Sequence, residues 1–304
     1  MATFQFGLLS QVIHVVDDLA GARQLYGGVF GGLSFYEGHS PYELRDASIF
    51  SIGNLTVEPM SPSATDGADQ MPVGRFLGRF GPHLHSIAVN TTNVPALAEH
   101  LTENGIRVFG PGGRDFDDQP IDGVTSIYTH PRDSHCLLEL VDFGGPLMSG
   151  SPRAEPSWET TYWQTDHPLG SDGLSHLTVA VSDLDVATDF FNRVLGCEIF
   201  HEGATASGER VSRFVLFGSE TVIELSQPLT SDGRMSADLV ANGEILHSVT
   251  VRVLDLERAV SHLDDCRIGL VERSEAHVVL DPEKTFGAVL SLTVAGIPED
   301  PREG

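Results

Sequence analysis

The chain has 304 residues, with 18 Lys and Arg against 43 Asp and Glu, a formal net charge of −25 at pH 7, and 40% apolar residues. This length and apolar content suit two domains of about 150 residues each. The acidity argues against nucleic acid and anionic membrane surfaces as partners, because both are held by clustered Lys and Arg; small ligands stay open. Cys136, Cys197 and Cys266 lack CxxC spacing and read as free thiols in a reducing compartment. The N-terminus has no basic segment followed by an apolar one, and no apolar run approaches the roughly 18 residues of a membrane span. The expectation is a soluble, cytoplasmic protein.

The first predicted strand is Gln11–Val16, followed by a helix capped by Asp18, running to Phe30 and broken by Gly31-Gly32. Strands are expected near Leu33–Glu37, Ala47–Ile52 and Leu55–Met60, the last carrying Glu58. His14 lies three residues from Gln11, hence on the opposite face of the strand, and reads as structural. Residues 61–80 read as a crossover. A second module has a strand at His85–Asn90, a helix at about Val94–Asn104 ended by Gly105, and an acidic, Gly-rich loop from Gly110 to Gly123 that is either a lid or a solvated excursion. It closes on an apolar strand containing Glu139, a carboxylate that needs a partner there. From Gly144 to Asp172 the alternation stops; this is read as a linker pinned to a domain by Trp158 and Trp163.

The third module is the most regular. Leu177, Val179 and Val181 share one face of a strand, with His176, Thr178 and Ala180 on the other. Asp183 caps a helix with Leu184, Ala187, Phe190, Phe191, Val194 and Leu195 at helical spacing, Gly196 ends it, and Glu198-Ile199-Phe200 starts a strand. The module ends at Thr221–Pro228, with Glu224. A fourth begins at Leu246 and ends near Leu292, and the tail after Ala295 is expected to fray.

These modules are copies. Shifted by 165 residues, Asp18, Leu19, Ala22, Val29, Gly31 and Phe35 fall on Asp183, Leu184, Ala187, Val194, Gly196 and Phe200, and Gln11 falls on His176. Shifted by 72, Thr178, Val179, Val181, Asp183 and Leu184 fall on Thr250, Val251, Val253, Asp255 and Leu256. Leu84-His85-Ser86 matches Leu246-His247-Ser248. Four copies in two pairs are a duplication of a duplication.

A strand with a ligand residue, a helix, and three strands ending in Glu resemble the βαβββ module of the vicinal-oxygen-chelate superfamily, which includes glyoxalase I, methylmalonyl-CoA epimerase, extradiol dioxygenases and bleomycin-resistance proteins. The resemblance implies an α+β fold of four modules paired into two glyoxalase-like domains, 1–143 and 173–295, with a linker at 144–172 and a tail at 296–304. The stretch His130 to Leu140 is similar to the closing motif of the epimerases. Each cup of the family holds one divalent metal on residues of its first and last strands. Carried over, this implies Gln11, Glu58, His85 and Glu139 as metal ligands of an N-terminal cup, and His176, Glu224 and His247 of a C-terminal one. Ser86 and Ser248 occupy columns where the family usually has His. His85 and His247 lie one residue earlier and would point outward from a regular strand, unless a β-bulge turns them in.

The first ligand set suits zinc, nickel, cobalt or manganese, with Glu58 or Glu139 as the proton-moving group. The implied function is metal-dependent proton transfer (isomerase, epimerase or lyase) on a small substrate with neighbouring oxygens. The C-terminal set instead matches an Fe(II) extradiol dioxygenase, although Ser291 stands where that glutamate is expected. A metal-free small-molecule binding or resistance protein is the third reading. The partner expected is a small-molecule substrate, with no nucleic acid and no membrane; a homodimer is left open.

Overall fold

The structure, a computed structural model, describes residues 4–114, 116, 124–142, 151–204, 210–218 and 220–303. The first half comprises β1 (Phe6–Val15), α1 (Leu19–Gln24), β2 (Leu33–Ser40), β3 (Arg45–Ile52), β4 (Leu55–Pro62), α2 (Pro72–Phe80), β5 (His83–Thr91), α3 (Val94–Glu103), β6 (Val108–Phe109), β7 (Ser126–Thr129), α4 (Pro131–Ser134) and β8 (Leu137–Val141). The second half repeats it with β9 (Ser171–Ala180), α5 (Leu184–Asp189), β10 (Glu198–Ala204), β11 (Arg210–Phe217), β12 (Thr221–Pro228), α6 (Arg234–Asn242), β13 (Ile245–Val253), α7 (Leu256–Asp265), β14 (Leu270–Arg273), β15 (His277–Leu280) and β16 (Val289–Thr293). Each half forms one eight-stranded mixed sheet, in the orders β2-β3-β4-β1-β5-β8-β7-β6 and β10-β11-β12-β9-β13-β16-β15-β14. Two α+β domains of the same topology result.

Local chemistry explains the repeated helices. Asp18 accepts the Gly21 amide at the start of α1, and Asp183 accepts the amides of Asp185 and Val186 at the start of α5. Both helices run on into a π-helical turn, Leu25–Val29 and Phe190–Val194, which buries Leu25 and Tyr26 or Phe190 and Phe191. One face of each sheet is apolar: Val12, Val57, Ile87 and Leu138 pack in a continuous core with Leu177, Val179, Ile223 and Leu246 of the other half. The opposite, concave face carries the polar residues.

Two sequence expectations change. Residues 61–80 contain α2, a helix with Pro72 at its first turn and Gly81 just past its end at φ 70°, the Pro-in, Gly-out punctuation that marks short helices. The tail does not fray. Ile297 is buried against Phe214 and Val222, and Arg302 donates to the carbonyls of Ser175 and Glu220 at 2.9 and 3.0 Å. Of the acidic loop, Asp115, Asp117, Asp118 and Asp122 lie outside the described residues. In the linker, Trp163 is buried, donates Nε1–H to the Gly31 carbonyl at 2.9 Å and packs on Trp158.

The halves interlock around β5 and β13. His83 Nε2 lies 3.3 Å from one oxygen of Asp238, and His247 Nδ1 lies 2.6 Å from the other. His135 pairs with Glu244 at 2.7 Å, and His14 donates Nε2–H to the Phe286 carbonyl at 2.9 Å. His100 reaches the Val194 carbonyl and His262 the Val29 carbonyl, a matched pair across the pseudo-twofold.

Candidate functional site

Strand register gathers the N-terminal residues. Glu58 on β4 pairs with Ile13 on β1, and Ile13 pairs with Ser86 on β5. One step along, Gln11 pairs with Ala88, Ala88 with Glu139 on β8, and Glu139 with Tyr128 on β7. Gln11, Glu58, Glu139 and Tyr128 therefore project from the same concave face. They line a cavity of about 710 Å³, closed over by Pro72 and Val73 of α2 and by Gly112 and Gly113 at the mouth of the acidic loop.

His85 also lines this cavity. Its strand carries a bulge: Ile13 pairs with Ser86 but His14 with Leu84, so two residues of β5 oppose one of β1. The irregularity brings His85 to the cup wall beside Ser86, with Nδ1 2.8 Å from the Ser86 Oγ and the ring edge-on to Phe76 of α2. Burial, then the nearby Arg45 cation, lower its pKa to about 4, so the imidazole is neutral at pH 7.

The cup contains charges that the sequence reading missed. Arg45, at the start of β3, donates Nη1–H to Glu58 at 3.1 Å and Nε–H to Glu43 at 2.8 Å. Burial works against the guanidinium, but Glu58 and Glu43 more than offset it and keep the cation protonated. Glu58 receives a second hydrogen bond from the Gln11 amide at 2.5 Å, so both its oxygens are engaged. Burial pushes its pKa up while Arg45 pulls it back. The buried Gln11 Oε1 takes no hydrogen bond from the described residues. Tyr128 donates its hydroxyl to Glu139 at 2.8 Å, supplying the partner that carboxylate required. Burial first, and the Glu58 charge second, push the Glu139 pKa up to about 7. Arg45 stands two residues before the expected strand, and the Tyr128–Glu139 pairing is a long-range register, so neither carried a local signal. Alternation extended backwards from Ala47 would have placed Arg45 on the Ala47 face.

The structure therefore brings Gln11, Glu58, His85 and Glu139 to one cavity. As a metal cage they do not fit. Among the described residues, no three His, Cys, Asp or Glu side chains gather closely enough to hold a metal ion. The oxygens of Glu58 are bound by an amide and a guanidinium, and that guanidinium stands as a cation beside any ion that entered.

The C-terminal cup is built differently. His176 Nε2 and Glu224 Oε2 are 3.9 Å apart, and Thr178 donates to Glu224. Phe214, which pairs with Glu224, stands edge-on to His176 and is buried with Ile297 of the tail. His247 does not join them: β13 carries the equivalent bulge, yet the imidazole turns to Asp238 on α6. Asp238 is the fifth residue of the nine in α6, where α2 has Phe76. A carboxylate captures the histidine in one half; an aromatic ring leaves it at the cup wall in the other.

Comparison with known proteins agrees with this architecture. The sequence profile of the Glyoxalase/Bleomycin resistance protein/Dioxygenase superfamily matches twice, over residues 10–121 and 175–279. Mitochondrial methylmalonyl-CoA epimerase of Bos taurus is 30% identical over 156 residues, covering 49% of this chain and 82% of that protein. The uncharacterized protein YqjC of Bacillus subtilis (strain 168) is 25% identical over 126 residues, 39% of this chain and 89% of its own. Among solved structures, a mutant of 4-hydroxymandelate synthase from Streptomyces coelicolor superposes over 96% of this chain and 95% of its own, with a TM-score of 0.67 and 13% identity, a likeness of fold alone. Each half thus carries its own copy of the family's module pair, and the chain belongs to the Glyoxalase/Bleomycin resistance protein/Dioxygenase superfamily, the vicinal-oxygen-chelate proteins.

Proposed function

We propose that the N-terminal cup moves a proton at a carbon flanked by carbonyl oxygens in a small acid or acyl thioester, as an isomerase, epimerase or lyase, with Glu139 as the base. The observation that carries this reading is a carboxylate poised near pH 7 on the wall of a 710 Å³ cavity, held by Tyr128 and facing into the same space as a guanidinium. A base whose pKa matches the working pH is both ionised enough to accept a proton and acidic enough to return it. The Tyr128 hydroxyl fixes one oxygen of Glu139, leaving the other for the substrate. Proton removal sends the C–H electron pair onto the neighbouring carbonyl oxygen as an enolate, and return of the proton completes an epimerisation or shifts a double bond. Ile13, Ile49 and Leu137 supply apolar wall that limits water's competition for that oxygen. The relationship to methylmalonyl-CoA epimerase supports a substrate whose acidic C–H lies between a thioester and a carboxylate.

The test is solvent exchange. Purified protein is incubated in D2O with methylmalonyl-CoA and a panel of 2-substituted acids, and loss of the α-proton signal is followed by NMR. Wild type should exchange at least one of them, and Glu139→Gln should slow that exchange by about 10²–10⁴-fold, the usual worth of general base catalysis. No exchange across the panel, or exchange indifferent to Glu139→Gln, rejects the reading. The C-terminal cup is a poorer fit to an iron site, because His247 is held by Asp238 and Phe214 stands against His176.

A further inference from the structure

We propose that the guanidinium of Arg45 is the resident cation of the N-terminal cup, standing in the place the superfamily gives to a divalent ion, so that the cup meets substrate anions with a side chain. This rests on reading the cup as a proton-transfer site. Three observations support it independently of any titration. Arg45 reaches from the edge of β3 to Glu58 at 3.1 Å, the carboxylate that the module pattern marks as a ligand. That carboxylate's other oxygen is taken by the Gln11 amide, so two of the four expected ligands bond to each other and one of them, Glu58, also to the guanidinium. The column that should deliver a histidine delivers Ser86, and the displaced His85 faces the Ser86 hydroxyl.

The chemistry of the guanidinium fits the task. It is planar, permanently charged and a donor only, so it can hydrogen-bond an oxygen of an acid or an enolate and hold its negative charge without an ion. Its bonds to Glu58 and Glu43 employ Nη1 and Nε, and Nη2 is the donor that a substrate oxygen meets. The buried Gln11 Oε1, without a donor among the described residues, is an acceptor for a substrate hydroxyl or a protonated acid. The ligand class is therefore a small anion with two neighbouring oxygens, a carboxylate or an enolisable thioester acid.

The experiment is metal loading. Purified full-length protein is incubated with MnCl2, ZnCl2 or NiCl2 in turn and desalted; its metal content is measured, and the same ions are titrated by calorimetry. Glu139→Gln runs alongside to separate ions in the cup from ions on this acidic surface. Wild type and Glu139→Gln should retain the same small amount. Arg45→Met, which uncovers Glu58, should gain about one ion per chain, bound about tenfold or more tightly than by wild type, and should lose it again when Glu139→Gln is added. Thermal melting establishes that each variant folds, and Arg45→Gln replaces Arg45→Met if the latter does not. Wild type holding a stoichiometric ion that Glu139→Gln removes would overturn the proposal, as would a folded Arg45 variant that gains none. Neither readout involves turnover. A failure here leaves proton transfer to its own exchange test, and a silent exchange test leaves the metal result standing.

Discussion

Glu139 stands in an apolar stretch of β8 between two leucines, and the structure keeps it there with one hydroxyl and at a raised pKa of about 7. Such a group works against the fold once it ionises. Its folded pKa exceeds the ordinary 4.5, so the stability it confers is complete below pH 4.5 and is lost as pH rises through 7. Glu139→Gln keeps an acceptor for Tyr128 without that charge. The variant should accordingly melt higher than wild type at pH 8, the difference shrinking towards pH 5, while proton-transfer activity is lost. Wild-type activity should rise with pH through about 7, since the base must be ionised. His14 shows the opposite sign. Burial lowers its pKa to about 4, and the neutral ring accepts the Tyr26 hydroxyl and donates to Phe286. Its contribution is full above pH 6.5 and is lost as pH falls through 4, so His14→Ala should cost about 2 kcal/mol or more at pH 7.5 and less at pH 5 in urea titrations, with solvent exchange unaffected.

At the scale of elements, equivalent strands with equivalent bulges end in different sites. In β5 the bulge delivers His85 to a cavity; in β13 it delivers His247 to Asp238. The difference lies in the helix covering each strand, Phe76 in α2 against Asp238 in α6. Asp238→Ala removes the acceptor shared by His83 and His247. It should cost about 1–3 kcal/mol of stability, measured by denaturant unfolding, while leaving N-terminal chemistry intact. These helices are also where sequence reading was weakest. The strand–helix–strand units were legible because Asp18, Asp183 and Gly196 punctuate a regular apolar period, and the repeat multiplied the signal. In α2 the two interior glycines, Gly74 and Gly78, dilute helical propensity, so only Pro72 and Gly81 betrayed it. Gln11, Glu58 and Glu139 were named through the resemblance to the family, on strands whose apolar runs the sequence shows. Whether His85 points inward could not follow, because a bulge is set by the partner strand, and Arg45 entered the cup through a salt bridge that no spacing encodes.

The two halves are fitted together as one body. Gly287, at φ 78°, lies so near Pro82 that an added Cβ would stand 1.8 Å from its carbonyl oxygen; Gly218, at φ 67°, meets Gly7 in the same way at 2.0 Å. Gly287→Ala should therefore lower stability by about 2 kcal/mol or more, combining left-handed strain with a backbone collision at the junction. A single unfolding transition in wild type that splits into two in this variant would show the junction to be the coupling. Along the chain, no described helix is long and apolar enough to cross a membrane. The C-terminal cup has surrendered part of its concave face to Phe214, which packs with Ile297 of the tail, and Arg302 ties that tail down. Occupancy counting follows from that surrender. A polypeptide with two bowls, one hollow and the other partly taken up by Phe214, should saturate with a single equivalent of ligand, along a plain hyperbola with a Hill slope near unity, and titration calorimetry reading two equivalents would mean that the second bowl still admits one.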